Sequence, residues 1–530
     1  MDSHTHESDE RLDRFVKWLA RHGFDHEGAW YSSSVRVRVF PDCQGFGFVA
    51  SRSIEHGQVI LAVPEKLLMS TRTARACNEV QQVVAALARL GSSALSDLEL
   101  LNVHLVLERL RGAASFWHEY IDMLPRFYSL LAAFDEHELG VVPEDGVAAA
   151  FVALARSNRA QVTASFERIR RAFELAFRGS SEPSRQLTFE LYLWAHCTVL
   201  SRTCHVPFDT VGALVPFGDF LNHEAIEPST IVSTSDGSTE SQSRMPRLNQ
   251  ATGMYEFYAH RTFHEGEQVF VCYASSDNLH LLEFYGFALE NNPYERVPIT
   301  LPEPYEMDPS ARTETAPPSR GNRHRDRRHP QPDAKPTRVR PVEPSNTTAM
   351  RRAAEAAMHL SDIFVYSNGP SFQALCALRI RAMDESELRR KLQWRALQGE
   401  EISERNEALV RAFLSRFNDT QRAILQAAHD AIVKHDATNP TGGVIDKRAV
   451  ARIWLAGQLA VLDKLSRWLN GEDDSQVNEE HSDEQQDDDG THDDGDDDHD
   501  GDDDHDGDDG DHDEDDDDED DEEYDDDDSE

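Results

Sequence analysis

Leu214-Val215-Pro216-Phe217-Gly218-Asp219-Phe220-Leu221-Asn222-His223 and Gly266-Glu267-Gln268-Val269-Phe270-Val271-Cys272-Tyr273 are the two stretches on which the reading of this chain turns. The first is an apolar run that ends in an Asn-His pair, two orienting polar side chains beside backbone that is about to be buried. The second is a Gly-Glu turn feeding a strand closed by a tyrosine. Each alone is compatible with a structural role: a satisfied polar turn with a structural histidine, or an aromatic core residue.

On the N-terminal side lies Gln44-Gly45-Phe46-Gly47-Phe48-Val49-Ala50, followed by Ile54, Gly57 and Val63-Pro64. Glycines between two strands let backbone approach a ligand closely, although a Gly-x-Gly turn by itself is often only a turn. On the C-terminal side lie Asn278, Leu281-Leu282 and Tyr285-Gly286-Phe287. A second tyrosine there can bring its hydroxyl to the pocket of the first.

The surrounding chain supplies the framework. Leu12, Phe15, Val16 and Leu19 predict an amphipathic opening helix. Val35, Val37 and Val39 alternate as a strand, and Val59 to Val63 forms another that Pro64 ends. From about Arg72 to Gly179 the pattern is helical, with Leu98, Leu101, Leu105 and Leu110 near one face. Val199 to Leu221 mixes apolar and turn residues. Ser229 to Ser243 lacks periodicity and reads as a surface loop. Phe257–His260 and Gln268–Tyr273 read as short strands around Glu265-Gly266-Glu267. Leu301 to Ser345 holds ten prolines, with nine bases between Arg312 and Arg340, and is a linker or disordered insert. Arg323 to Arg328 is either a solvated part of it or a nuclear-import patch. Thr347 to Asn470 is helical again. Asn418-Asp419-Thr420 offers capping side chains before a further helix, and Leu455, Leu459, Leu462, Leu465 and Leu469 form one stripe.

The formal net charge of −45 over 530 residues is concentrated at one end. Residues 472–530 carry 39 Asp plus Glu and no Lys or Arg, which leaves 98 − 39 = 59 acids against 53 bases elsewhere, or −6. The tail is too charged to collapse. It is either a solubilising extension or a salt-sensitive lure for basic partners such as histones or ribosomal proteins. It would repel nucleic acid, and no aromatic-interleaved basic surface is apparent elsewhere. His492, His499, His505 and His512, set amid its aspartates, do not make a defined metal site. Cys43, Cys77, Cys197, Cys204, Cys272 and Cys376 show no Cys-x-x-Cys pair, and their spacing suggests neither a zinc site nor a disulfide framework, so no metal site is expected and reduced thiols in an intracellular protein, cytoplasmic or nuclear, are the simplest reading. No apolar run approaches the roughly 20 residues that span a bilayer. The acidic, His-containing opening, Met1 to Asp13, is unlike a transit or signal peptide.

Taken in order, the three glycine, Asn-His and tyrosine segments resemble the SET-domain methyltransferases, specifically the Rubisco-methyltransferase-like branch. Further matches are Ser115-Phe116-Trp117 with Tyr120 and Leu124-Pro125, Trp194-Ala195 with Ser201-Arg202, and Asn292-Pro293. Ala377-Leu378-Arg379 and Gly457-Gln458 look like that branch's helical substrate-binding domain. The resemblance spans about Val35 to Asn470. It implies an α+β chain: a knotted SET β-fold over 35–300 with a helical insert at about 72–202, preceded by an N-terminal helix (1–34). A linker (301–345), an all-α C-terminal domain (346–470) and a disordered acidic tail (471–530) would follow.

The same resemblance implies S-adenosylmethionine as cofactor, a protein substrate, no membrane and a monomer. Gln44, Gly45 and Phe46 would meet the cofactor through backbone, Asn222 and His223 would hold its polar groups, and Arg202 would lie where cofactor and substrate meet. Tyr273 would be the catalytic tyrosine. Tyr285 would line the acceptor channel, and Asp219 would contact substrate. A phenol of pKa about 10 is a poor base at neutral pH, so Tyr273 is expected to orient rather than abstract a proton. An actin-histidine-directed relative has Asn where this chain has Cys204 and departs from it at Tyr285, which favours lysine as acceptor over histidine. Cys204 is also not the aromatic of many lysine-directed relatives. A non-catalytic SET-fold protein gripping basic partners is the remaining reading.

Overall fold

The computed structural model describes residues 3–24, 34–40, 45–142, 144–178, 187–226, 246–307, 362–438 and 447–472. Gln44, Cys43, the Ser/Thr-rich stretch from Ser229 to Ser243, most of the Pro/Arg-rich segment and the acidic tail lie outside the described residues.

The glycine-bearing strand is central to the first sheet. Strand β1 (Val35–Phe40) pairs antiparallel with β2 (Gly45–Ala50). A second sheet begins with β3 (Val59–Pro64). The hairpin β4 (Thr203–Val206) and β5 (Asp209–Leu214) leads toward β6 (Asn222–His223). Strands β7 (Arg247–Asn249) and β8 (Met254–Tyr258) join β3 in the order β3-β8-β7. Strand β9 (Gln268–Val271) completes the first sheet, in the order β1-β2-β9-β6. Strand β9 runs antiparallel to β2, with Phe48 opposite Val269, but parallel to β6, with Asn222 opposite Phe270 and His223 opposite Val271. That parallel step brings the Asn-His pair beside the end of the strand that leads to Tyr273.

Helix α1 (Ser3–Arg21) buries Phe15, Trp18 and Leu19. Phe15 packs on Phe217 and Phe220, so this helix backs the segment that runs into β6. Among the described residues the expected insert holds the α-helices α2 (Thr71–Ala76), α3 (Asn78–Arg89), α4 (Asp97–Arg111), α5 (His118–Met123), α6 (Glu136–Leu139), α7 (Gly146–Ala176) and α8 (Phe189–Arg202). A capping box of Ser96 and Glu99 starts α4, satisfying two otherwise orphan backbone donors. Leu101 and Leu105 of its predicted stripe are fully buried.

After β9 come α9 (Asn278–Phe284), β10 (Val297–Pro298) and α10 (Pro304–Met307). The C-terminal region is helical: α11 (Phe372–Ala382), α12 (Glu385–Arg389), α13 (Gln393–Leu397), α14 (Glu404–Thr438) and α15 (Lys447–Asn470). It also contributes two short strands, β11 (Phe364–Tyr366) and β12 (Gly369–Pro370), which pair with β10 in a three-stranded sheet. One apolar core joins insert residues (Phe134, Phe151), the segment after β9 (Leu282, Val297) and the C-terminal helices (Leu414, Trp454). Phe151 stacks on Trp454 at 5.0 Å. Gln421 Oε1 accepts from the Val147 backbone N–H at 2.9 Å, and Lys447 donates to the Ala133 carbonyl at 2.7 Å.

The differences from expectation have local causes. Asn418-Asp419-Thr420 does not begin a helix; it sits inside α14. Asn418 donates to Ser466 Oγ on α15 at 2.6 Å and Thr420 bonds back to the Arg416 carbonyl at 2.8 Å, so both are satisfied without a break. Val39 is exposed near the end of β1, whereas Val35 at its start is buried. No described helix is long and apolar enough to cross a membrane.

Candidate active site

Two-residue strand β6 makes the site. Asn222 Nδ2 reaches the Phe46 carbonyl at 3.4 Å, and the Phe46 ring stacks on Phe220 at 5.1 Å. Gly47 lets them come together. A Cβ there would lie 2.7 Å from Asn222 Nδ2 and 2.7 Å from a Phe40 ring carbon. Gly218 is equally confined, since its Cβ would meet the Phe257 ring at 2.5 Å.

His223 follows and is buried. Its Nδ1 accepts from the Tyr273 backbone N–H at 3.0 Å. Burial lowers its pKa to about 4, so the ring is neutral at physiological pH. A neutral ring that accepts at Nδ1 carries its proton on Nε2. That Nε2 is buried with no hydrogen-bond partner among the described residues. Glu224, the next residue, is fixed by His260 Nε2 at 3.0 Å and Arg261 Nε at 2.9 Å. Burial opposes its charge, yet these two partners bring its carboxyl down to about 2.

Tyr273 lies just beyond β9, and its hydroxyl donates to the Leu221 carbonyl. Its ring is 5.2 Å from that of His223 and 5.2 Å from that of Tyr285; Phe287 closes the group at 5.4 Å from His223. Burial raises the Tyr273 phenol above its usual value, so it stays protonated. Tyr285 is raised too, by burial and then by the neighbouring thiols of Cys204 and Cys272. Burial pushes Cys204 up to about 12.

Arg202, the last residue of α8, donates through Nη1 to Asp219 Oδ2 at 2.9 Å and to the Asp219 carbonyl at 3.0 Å. Tyr120 donates to the same carboxylate oxygen at 3.2 Å. The Asp219 side chain is 1% exposed and that of Arg202 24%. Burial disfavours the charge of Arg202, but Asp219 more than restores it and the guanidinium remains protonated.

Phe46 on β2 meets Asn222 on β6, His223 on β6 meets Tyr273 just past β9, and Tyr285 lies against Tyr273, with Gly45 at the start of β2. Gln44 lies outside the described residues. Asp219 Oδ2 accepts from Arg202 and Tyr120 inside the protein, while its Oδ1 is buried with no hydrogen-bond partner among the described residues. Sequence reasoning missed the Tyr120 hydroxyl, which meets a carboxylate 99 positions away, and the Leu221 carbonyl as anchor of Tyr273. No local pattern carries either signal.

Residues 45–274 match the SET domain family. Protein SET DOMAIN GROUP 40 of Arabidopsis thaliana is 31% identical over 318 residues, 55% of this chain and 61% of that protein. The actin-histidine N-methyltransferase of Homo sapiens is 28% identical over 290 residues, 54% of this chain and 44% of that one. The chain therefore spans 61% or less of the length of these two relatives. Among solved structures, the SET domain of LSMT bound to lysine and AdoHcy is similar in fold, with a TM-score of 0.55 at 17% identity over 87% of this chain and 91% of that one.

Proposed function

We propose that this chain, whose residues 45–274 form a SET domain, is an S-adenosylmethionine-dependent protein methyltransferase with a lysine side chain as acceptor. The observation that carries the reading is the junction of His223 with Tyr273, sealed by the hydrogen bond from the Tyr273 backbone to His223 Nδ1. It leaves a buried N–H at Nε2 with no acceptor among the described residues, a donor suited to a polar group of the cofactor. Gly45 and Phe46 on β2, and Asn222 beside them, would complete the binding surface, and Arg202 would lie at the junction with substrate.

S-adenosylmethionine, when bound, supplies an electrophilic methyl group on a sulfonium. The protein's part is to deliver a neutral amine. A free lysine has a pKa of about 10.4, so its ammonium must lose a proton, to water, before it can attack. Tyr273, Tyr285 and Phe287 form aromatic walls that exclude water and tolerate a methylated cation. Tyr273 is held protonated and tethered to Leu221, which suits it to orient the amine and not to act as base. Lysine is favoured over histidine because Tyr285 is kept and because Cys204 offers no side-chain amide to an imidazole. The C-terminal helices would grip the protein substrate.

The test is transfer of labelled methyl from S-adenosylmethionine to a cell extract, with the modified residue identified by mass spectrometry. Methyl-lysine is expected; methyl-histidine would overturn the acceptor and leave the transferase reading intact. Tyr273→Phe is expected to keep thermal stabilisation by S-adenosylmethionine and to lose transfer by at least about 100-fold. Unchanged turnover in that variant would remove Tyr273 from the chemistry.

A further inference from the structure

A second polar cluster lies in the helical insert, apart from the residues assigned above. His104 and Glu108 stand one turn apart on one face of α4, and Cys77 sits at the junction of α2 and α3. The Cys77 Sγ, a His104 ring nitrogen and a Glu108 carboxylate oxygen all lie within 4.8 Å of one another. His104 is 2% exposed, and neither of its ring nitrogens has a hydrogen-bond partner among the described residues, although Nδ1 is 4.0 Å from Glu108 Oε1. Leaving a buried polar group unpaired costs about 1–3 kcal/mol. Burial lowers its pKa to about 4, so the imidazole is neutral, the form that ligates metal.

A cation already stands in this cluster. Arg111, at the end of α4, donates through Nη1 to Glu108, and its Nη2 lies 2.6 Å from Glu79 Oε2 and 3.3 Å from Cys77 Sγ. Cys77 Sγ donates to Glu79 Oε2 at 3.7 Å, and Ser115 donates to Glu108 Oε2 at 2.6 Å. The arginine accounts for the thiol and both carboxylates. It leaves the two empty nitrogens of His104 unexplained.

We propose that Cys77, His104 and Glu108 form a zinc site, with Glu79 as fourth ligand when the Arg111 side chain swings out. A thiolate, an imidazole and carboxylates are a donor set suited to tetrahedral zinc. Zinc–ligand bonds of about 2.0–2.3 Å place tetrahedral donors roughly 3.3–3.8 Å apart, so the cluster needs to contract by about 1 Å. Binding releases the Cys77 thiol proton to solvent as the zinc–sulfur bond forms. Arg111 keeps 31% of its side chain exposed and can exchange its inner partners for water. The bound ion would staple the α2–α3 junction to α4 and, through Ser115, steady Trp117, whose indole N–H donates to the Leu67 carbonyl at 2.8 Å.

The test uses the full chain, stripped with chelator and titrated with Co²⁺ while the near-ultraviolet thiolate-to-cobalt absorption is followed, then back-titrated with Zn²⁺. The acidic tail will take up cobalt through its histidines, but it holds no cysteine and is silent in that band. A saturable band displaced by zinc is expected. Cys77→Ser should abolish it, and His104→Gln should weaken affinity by roughly 100-fold or more. Arg111→Gln, a change at a partly exposed side chain, should tighten binding by removing the competing cation. Absence of the band in the parent chain, its survival in Cys77→Ser, or weaker binding in Arg111→Gln would each overturn the proposal.

Discussion

Asp219→Asn separates two roles for one carboxylate. The amide keeps the shape and can still accept from Arg202 Nη1 and Tyr120 at the Oδ2 position, where the distances are 2.9 and 3.2 Å. What it removes is the charge. Two unit charges about 4 Å apart interact by about 4 kcal/mol at an effective dielectric of 20. An amide is easier to bury than a carboxylate, and the arginine is partly open to water, so part of that term is returned. A net loss of about 2 kcal/mol follows, of the size seen for hydrogen bonds to charged groups, and it multiplies the unfolded fraction by roughly 30. The assay is urea unfolding of the full chain, read as a lower midpoint at unchanged slope. With Arg202 loosened, thermal stabilisation by S-adenosylmethionine should shrink as well. If the variant unfolds like the parent and only its KM for the protein substrate rises, Asp219 faces the acceptor and the anchoring argument is wrong.

Gly47→Ala would push a methyl group to 2.7 Å from Asn222 Nδ2 and from the Phe40 ring; a loss of about 1–3 kcal/mol in urea unfolding is expected, together with weaker cofactor stabilisation. His223, neutral when folded with a pKa of about 4 and near 6.5 when unfolded, makes the unfolded chain bind the extra proton below pH 6.5. Stability should therefore fall as pH drops, by about 2 kcal/mol at pH 5 from this group, and a His223→Gln chain should show that much less loss between pH 7 and pH 5. Glu295 behaves oppositely: burial, then the nearby Asp277, raises it to about 8, so the folded chain keeps a proton that the unfolded chain releases above about 4.5. Its contribution is full below pH 4.5 and is lost as pH rises through 8. Glu295→Gln, which preserves an acceptor for Gln458 Nε2 now at 2.7 Å, should lift stability at pH 8 relative to the parent by on the order of 3 kcal/mol.

Much of this was legible in the residues because the signals were local. Phe15 and Leu19 announced a helix face and Val59 to Val63 an apolar strand, and both lie where period put them; Gly47 was read as room for a ligand, and the close neighbours it admits are Asn222 and Phe40. The hairpin at 203–214 was illegible because its strands are short, and one of them, Thr203–Val206, begins where a helix ends. The interior of α14 misled because Asn418 and Thr420 are good caps in isolation. Only a partner on another helix, Ser466, shows that Asn418 is used otherwise. At the site, Asn222, His223 and Tyr273 could be named in advance, but not what each nitrogen or hydroxyl would touch. The partners of Asp219 are Tyr120 and Arg202, drawn from two separate helices, and distance along a chain says nothing about convergence in space.

The apolar cluster that interleaves Phe151, Val297 and Trp454 has a practical corollary. A boundary drawn through the Pro/Arg-rich segment would divide the polypeptide in sequence but not in packing. A polypeptide severed between residues 308 and 361 should persist as two pieces that co-purify, and separately expressed halves should each be insoluble until mixed. For this molecule, cutting at the low-complexity segment would not yield independent modules; the two halves are complementary parts of one body.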